Sequence, residues 1–129
     1  MNVVDSSGWL EYFADGANAG FFAPAIEDTE HLLTPVICIY EVFKRMHQQR
    51  GLSAAQTSAG DMYSGQVISI DASLALSAAQ LSAELKLPMA DSFILAVARL
   101  YQAVLWTQDE HFSGMEGVKY IQIKKNVDH

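Results

Sequence analysis

Short apolar stretches recur along the chain, and longer segments with mixed apolar and polar positions separate them. Most of these stretches lack strict alternation of apolar and polar residues, a pattern typical of β-strands that are covered on both faces. The predicted strands are Asn2–Val4, His31–Leu33, Gln66–Ile70, Val104–Trp106 and Tyr120–Ile123.

The segments between these strands contain residues that begin, line and end helices. Pro35 precedes one predicted helix, and Gly51 lies at a position suited to its C-cap. Leucine and alanine side chains at residues 74, 78, 81 and 85 fall on a single stripe of another. Gly8–Phe13 is predicted to be the start of one helix. Four more helices are predicted to span Val36–Gln49, Ala54–Tyr63, Ala72–Leu85 and Ala90–Gln102.

Strands that alternate with helices predict a three-layer α/β/α fold, with a mostly parallel sheet of four to five strands and helices on both faces. No repeat, low-complexity stretch or linker divides the sequence, so we expect a single domain over residues 1–129. In such a fold, ligands bind beyond the carboxyl ends of the strands. Asp5 and Asp109 each follow a predicted strand, so we expect both acids at one edge of the sheet.

The length and composition are those of a folded globular domain. A chain of 129 residues, of which 50% are hydrophobic and 18% charged, is long enough to bury one core without disulfides. Cys38 is the only cysteine, which excludes an intramolecular disulfide and suits a reducing compartment. The sequence has no secretory signal pattern and no apolar run of roughly 20 residues, so we expect a cytoplasmic protein.

The net charge of −7, from 15 acidic and 8 basic residues, argues against a simple basic surface for nucleic acid. A metal site built from several of the acids would reduce this imbalance. The charge therefore lowers the expectation of a nucleic-acid substrate without excluding one.

Two further acids lie in apolar surroundings. Glu41 is within VICIYEVF, and Asp91 is within LPMADSFILAVA. An unpaired ionised carboxylate in such a setting costs several kcal/mol, so it usually has a cation or a hydrogen-bond partner. Because hard divalent cations prefer carboxylate oxygens, a metal ion is a suitable partner for a set of such acids.

Each acid also has a simpler explanation. Asp5 and Asp91 are suited to the N-terminus of a helix, and Asp109 is suited to capping a short helical turn. Glu41 has Arg45 one helical turn later as a partner for a surface ion pair. Taken singly, none of the four acids indicates a site.

Four segments together resemble the signature of the PIN domain: VVDSSGWLEYF, PVICIYEVFKR, LPMADSFILAVAR and VLWTQDEHFSGMEGV. In its compact form the chain resembles the VapC ribonuclease toxins of prokaryotic toxin–antitoxin pairs. The resemblance runs from about Asn2 to Val118 and implies a PIN-like fold and a metal-dependent endoribonuclease, the toxin of a type II pair.

The resemblance also implies roles for particular residues. The family's carboxylates would hold one or two Mg²⁺ or Mn²⁺ ions, and a water-derived nucleophile would cleave RNA. Two hydroxyl side chains would support the acids by hydrogen bonding. The carboxylates correspond to Asp5, Glu41, Asp91 and Asp109, and the hydroxyls to Ser6 and Thr107.

Partners follow from the same resemblance. A small antitoxin would pack a helix and a basic C-terminal tail over the site, and homodimers are usual in such proteins. Lys44, Arg45 and Arg50 form a modest basic cluster on the helix that carries Glu41. This cluster is either a solvated face with local ion pairs, which is slightly favoured, or a guide for the RNA backbone.

Other interpretations remain. In a receiver-like phosphoacceptor domain, Asp71 would be the acceptor and Thr107 the switch residue, but the lone Asp5 and the missing strand-end lysine argue against it. Asp71 is better explained as a helix cap. The histidines at 31, 47 and 111 are too scattered for a zinc motif and are interpreted as surface residues. An RNA-processing PIN nuclease without an antitoxin, or an inactive PIN fold, is a further alternative.

Overall fold

This computed structural model describes residues 1–124, which contain five strands and six helices. The strands β1 to β5 span Asn2–Val4, Leu32–Pro35, Gln66–Ile68, Val104–Thr107 and Val118–Tyr120. The helices α1 to α6 span Ser6–Phe13, Ala19–Glu27, Val36–Arg50, Leu52–Met62, Ala72–Leu85 and Met89–Leu100. Two 3₁₀ turns, Thr29–His31 and Glu110–Phe112, lie in the connections.

The strands form one sheet in the order β3-β2-β1-β4-β5, and every neighbouring pair is parallel. The predicted parallel sheet is therefore confirmed. Successive strands are added on one side of β1 as far as β3, and the chain then crosses to the other side for β4 and β5. The order reverses between β1 and β4, and in open parallel sheets this is where the carboxyl ends of two strands leave a crevice for a ligand.

The direction of these steps also determines the layers. Parallel connections are right-handed, so the two steps from β1 to β3 put α1 to α4 on one face, and the return to β4 puts α5 and α6 on the other. Helix α6 packs against β1, β2 and β4. The predicted α/β/α arrangement is confirmed. Within residues 1–124, no helix is long and apolar enough to cross a bilayer.

The bounds of β1 match the prediction, and those of the other four strands differ. Strand β3 ends two residues earlier than predicted, at Ile68, and β4 ends one residue later, at Thr107. Strand β2 begins one residue later than expected, and β5 spans Val118–Tyr120 instead of Tyr120–Ile123. Gly117 has a positive φ of 77°, so the chain turns there, and Val118 is the first residue to pair with β4, opposite Leu105. Ile121 lies beyond the strand but still packs against the core.

Helix α1 lies unusually close to β1 and α2 because Gly8 has no side chain. A Cβ atom at Gly8 would come within 2.6 Å of both Phe22 Cε1 and Val4 Cγ1, and both of these neighbours are fully buried. The indole of Trp9, the next residue, is also buried in the core. The start of α1, and with it the loop that carries Asp5, is therefore set by close packing.

Gly8→Ala is expected to destabilise the protein by about 1–3 kcal/mol, because a methyl group at this position overpacks Val4 and Phe22. The measurement is urea unfolding followed by circular dichroism. Gly20→Ala is the matched control, since a Cβ on Gly20, in α2, meets nothing within 4 Å. Equal unfolding free energies for the two variants would contradict this account of the packing.

Candidate functional site

Asp5 connects the ends of two neighbouring strands. It follows β1 directly and is buried, and its Oδ1 atom caps α1 by accepting from the Gly8 backbone N–H at 3.0 Å and the Ser7 hydroxyl at 2.7 Å. Its Oδ2 atom accepts from the hydroxyl of Thr107, the last residue of β4, at 2.7 Å. The capping role is confirmed, but it involves only the Oδ1 atom. The Oδ2 atom is bound to the adjacent strand β4 through Thr107.

Thr107 also orients Asp109. Its Oγ1 atom accepts from the Asp109 backbone N–H at 2.9 Å while donating to Asp5. Asp109 Oδ1 in turn accepts from the His111 backbone N–H at 2.9 Å, so this acid caps the turn Glu110–Phe112 as expected. A single buried hydroxyl therefore joins two acids that lie more than a hundred residues apart in the chain.

Glu41 reaches the same edge from α3. Its Oε1 atom accepts from the Ser6 hydroxyl at 2.6 Å, and Ser6 is the residue next to Asp5. None of the ion pairs within residues 1–124 joins Glu41 to Arg45, so the simpler explanation of this acid is not observed. The Ser6 contact instead fixes α3 against the loop at the end of β1.

Asp91 lies in the first turn of α6 and is half-buried. Its Oδ2 atom is 2.9 Å from His111 Nδ1, and the same nitrogen is 3.1 Å from Asp109 Oδ1. One ligand atom from each of these three residues lies within 4.8 Å of the others, a spacing that could hold a metal ion.

The sequence interpretation missed this role of His111. The residue is exposed, as expected, but it is not an isolated surface histidine because it contacts two of the candidate acids. The only local signal was its position two residues after Asp109, whereas its partner Asp91 is 20 residues away.

Burial and neighbouring charge raise the pKa values of Asp5 and Asp91. Burial is the main reason that the pKa of Asp5 rises to about 7, and Asp109 adds to it, while the hydrogen bond from Thr107 opposes it. The pKa of Asp91 rises to about 6, again chiefly through burial and then through the charge of Asp109, with a further contribution from Glu41. The charge of Asp109 thus acts on both Asp5 and Asp91, and the charge of Glu41 acts on Asp91.

The charges of the acids also act on the buried thiol of Cys38. Burial raises the pKa of Cys38, and the charges of Asp5, Glu41 and Asp91 raise it further. Its Sγ atom lies 3.8 Å from the Val4 carbonyl oxygen, at the end of β1. The charges of three of the four acids therefore act on one buried thiol.

These residues fit a divalent cation. The donor atoms are carboxylate oxygens, which hard cations prefer, and the pKa values of Asp5 and Asp91 are raised chiefly by burial and further by the charge of Asp109. Within residues 1–124, the ion pairs of these acids involve only His111, and none involves a lysine or arginine. A divalent ion held by these oxygens would supply positive charge that no lysine or arginine supplies to them within residues 1–124.

A cleft of about 300 Å³ is lined by residues that are near two of the acids in sequence. Part of the lining comes from Ser7, two residues after Asp5, and from Gln108, the residue before Asp109. Arg45 and Arg50 of α3 line another part. Lys44 is placed differently, with its ammonium group 5.9 Å from the centre of the Tyr40 ring. The structure therefore brings two of the three predicted basic residues to the cleft.

A family model of the PIN domain matches residues 3–118. The chain belongs to the PIN-domain family. This match includes the segments that contain all four acids and both hydroxyl residues, and it confirms the family resemblance of the sequence. A comparison with curated protein sequences gave no match.

Solved structures with this PIN fold include toxins of toxin–antitoxin pairs. The chain is similar to one in a toxin–antitoxin complex from Klebsiella pneumoniae, at 22% identity and a TM-score of 0.78, over 95% of this chain and 100% of that one. It is also similar to the Sarcin-Ricin loop cleaving toxin VapC20 of Mycobacterium tuberculosis, at 20% identity and a TM-score of 0.74. This match covers 88% of this chain and 93% of that one. A chain of DNA-bound VapBC from Salmonella typhimurium is similar at 15% identity and a TM-score of 0.72, and the match covers 95% of this chain and 97% of that one.

The raised pKa of Asp5 predicts that the metal-free protein loses stability as the pH rises from about 4 to about 8. Between the usual value of 3.8 and the folded-state value of about 7, the folded protein retains a proton that the unfolded chain has released. The unfolded state therefore binds fewer protons, and the free energy of unfolding falls with pH. Urea unfolding in the presence of a chelator, repeated across this range, measures the slope.

Asp5→Asn should remove most of this slope and raise the unfolding free energy of the metal-free protein at pH 8 by an amount on the order of 2–4 kcal/mol. The Thr107 hydroxyl can accept from the new amide, so the contact is kept. Asp71→Asn, which replaces the capping carboxylate of α5, is the control for the loss of a helix-capping charge. A less stable Asp5→Asn protein at pH 8 would contradict the account.

Proposed function

We propose that this protein is a metal-dependent endoribonuclease of the VapC type, the toxin of a type II toxin–antitoxin pair. The observation that supports this most strongly is the hydrogen-bonded connection of Asp5, Thr107 and Asp109 at the switch point of a PIN fold. Glu41 and Asp91 reach the same edge from α3 and α6. Four acids in one crevice of a PIN domain suit phosphodiester hydrolysis.

In this proposal, Asp5, Glu41, Asp91 and Asp109 hold one or two divalent ions, Mg²⁺ or Mn²⁺. Such an ion supplies a bound water of lowered pKa and positive charge beside the scissile phosphate. The protein's own contribution is to hold its oxygens still. Thr107 fixes Asp5, and Ser6 fixes Glu41, each through one hydrogen bond to a carboxylate.

The substrate is proposed to be RNA, and Arg45 and Arg50 are proposed to receive its backbone. Both line the cleft that begins beside Ser7 and Gln108, so a strand lying there would bring a phosphate toward the acids. Arg45 is one helical turn from Glu41 on α3. Positive charge one turn away offsets the repulsion between an acidic site and a polyanion.

Partners and setting are proposed on the same basis. The Klebsiella relative is part of a toxin–antitoxin complex, and the Salmonella relative is VapBC bound to DNA, which supports a cognate antitoxin for this chain. A net charge of −7 suits a basic antitoxin tail. A homodimer, a cytoplasmic location and a single domain over residues 1–129 stay predictions, and residues 125–129 lie outside the described part of the chain.

The receiver-like alternative loses its support. Asp71 accepts from the Leu74 backbone N–H at 2.8 Å and caps α5, the role expected of it. It follows β3, an edge strand that is two places from β1 in the sheet. An RNA-processing PIN nuclease would use the same acids without an antitoxin, and a neighbouring gene for a small DNA-binding protein would distinguish the two.

Asp91→Asn and Asp5→Asn are each expected to abolish RNA cleavage, because each removes a charged metal ligand. Thr107→Val and Ser6→Ala should lower the rate by roughly 10–100-fold, the usual cost of losing a residue that supports a ligand. The measurement is cleavage of a fluorescent single-stranded RNA in Mn²⁺ or Mg²⁺. A chelator should stop the reaction, and added metal should restore it.

Asp71→Asn is the matched control, since it replaces an exposed capping aspartate outside the site, and it should cleave at the wild-type rate. Circular dichroism verifies that each variant is folded. Cleavage by folded Asp91→Asn at the wild-type rate, or full activity in excess chelator, would refute the proposed chemistry.

Charge reversal of Arg45 and Arg50 together should weaken RNA binding and reduce its dependence on salt. Each lost phosphate contact lowers the slope of log affinity against log salt concentration by about 0.7 on a single strand, so the double variant should lose roughly 1.4. Fluorescence anisotropy in an Asp91→Asn background, which prevents cleavage, gives the slope. Lys44→Glu, which lies outside the cleft lining, should change it less, and an equal change would refute the proposed path.

A further inference from the structure

His111 places a ring nitrogen between two candidate metal ligands that come from distant parts of the chain. Its Nδ1 atom is 2.9 Å from Asp91 Oδ2 and 3.1 Å from Asp109 Oδ1. The family signature in the sequence contains only carboxylates at this centre, so the nitrogen is an additional donor. A nitrogen donor has different metal preferences from an oxygen.

The two distances match those between neighbouring ligands of one ion. Ligands at right angles around an octahedral ion, each about 2.1 Å from it, are separated by about 3.0 Å. The nitrogen and the two oxygens all lie within 4.8 Å of one another. An ion bound here could take this nitrogen and both oxygens as ligands, in place of the two contacts of His111.

The turn that carries His111 is fixed in position. The His111 backbone N–H donates to Asp109 Oδ1, and the next residue, Phe112, is fully buried in the core. The imidazole side chain itself is 52% exposed. At these distances from two carboxylate oxygens Nδ1 carries a proton, so an ion bound to Nδ1 would displace that proton, and the exposed ring can keep a proton on Nε2.

We propose that His111 is a direct nitrogen ligand of the metal centre and that it biases the centre toward a first-row transition ion over Mg²⁺. The proposal rests on the proposed function and adds to it the class of metal. Imidazole suits ions such as Fe²⁺ and Ni²⁺ and increases in affinity from Mn²⁺ through Co²⁺, whereas Mg²⁺ is bound chiefly through oxygen.

A second histidine provides a matched comparison within the chain. His31 Nδ1 lies 2.9 Å from Asp28 Oδ1, the same contact distance as at His111, but this pair is exposed and local, three residues apart. Among residues 1–124, no third histidine, cysteine or acid completes a possible metal-binding group with this pair. His31→Asn therefore reports what the loss of an ordinary histidine–aspartate contact does to metal binding.

The first test is pulsed electron paramagnetic resonance of the full chain with Mn²⁺ alone. A coordinated imidazole gives modulation of the Mn²⁺ echo by ¹⁴N, which a histidine that only hydrogen-bonds to the carboxylates does not give. The modulation should be present in the wild type and in His31→Asn and absent in His111→Asn. Asparagine keeps a hydrogen-bond donor near the position of Nδ1, so a purely positioning role would survive the change.

The second test is calorimetric titration with Co²⁺ and with Mg²⁺. His111→Asn should lower the Co²⁺ affinity at least about tenfold and the Mg²⁺ affinity by much less, so that the preference for Co²⁺ shrinks. Bound Mn²⁺ without nitrogen modulation in the wild type would overturn this inference and leave the proposed function standing. The absence of any metal binding would overturn both.

Discussion

The structure of the site depends on one hydrogen bond, from the Thr107 hydroxyl to Asp5 Oδ2, which joins the ends of two adjacent parallel strands. Strands β1 and β4 are where the sheet order reverses, so their carboxyl ends diverge into a crevice. This hydrogen bond connects the two strand ends at the base of the crevice and keeps the Asp5 carboxylate buried. The helices then only have to bring Glu41 and Asp91 to a point that the two strands have already defined.

Burial of these acids is costly to the fold and useful to the site. Asp5 sits above fully apolar strand residues, Val3 and Val4, so the surrounding core cannot neutralise its charge. A carboxylate with a pKa of about 7 in this position destabilises the metal-free protein at neutral pH. Such a residue is expected where function requires it and stability alone would not. The same uncompensated charge gives the crevice its attraction for a cation.

Much of the fold could be predicted from the sequence because strands and helices carry their own periodicity. Helix α5 has the predicted bounds, whereas β5 is displaced because the turn at Gly117, not hydrophobicity, sets its start. Helix α2 was not predicted: it contains Pro24 and is stabilised by its buried face, which the local sequence does not reveal.

The candidate site shows the same division between local and long-range signals. The acids lie in recognisable segments, so their convergence could be expected. Contacts between remote residues have no local signal, and so the approach of His111 to Asp91, 20 residues away, could not be predicted. The most direct test of the central claim is an anomalous difference map from a crystal soaked in Mn²⁺. We expect a peak about 2.0–2.3 Å from oxygens of Asp5, Asp91 and Asp109. Acids that each pair with an arginine of this chain, with no peak among them, would contradict it.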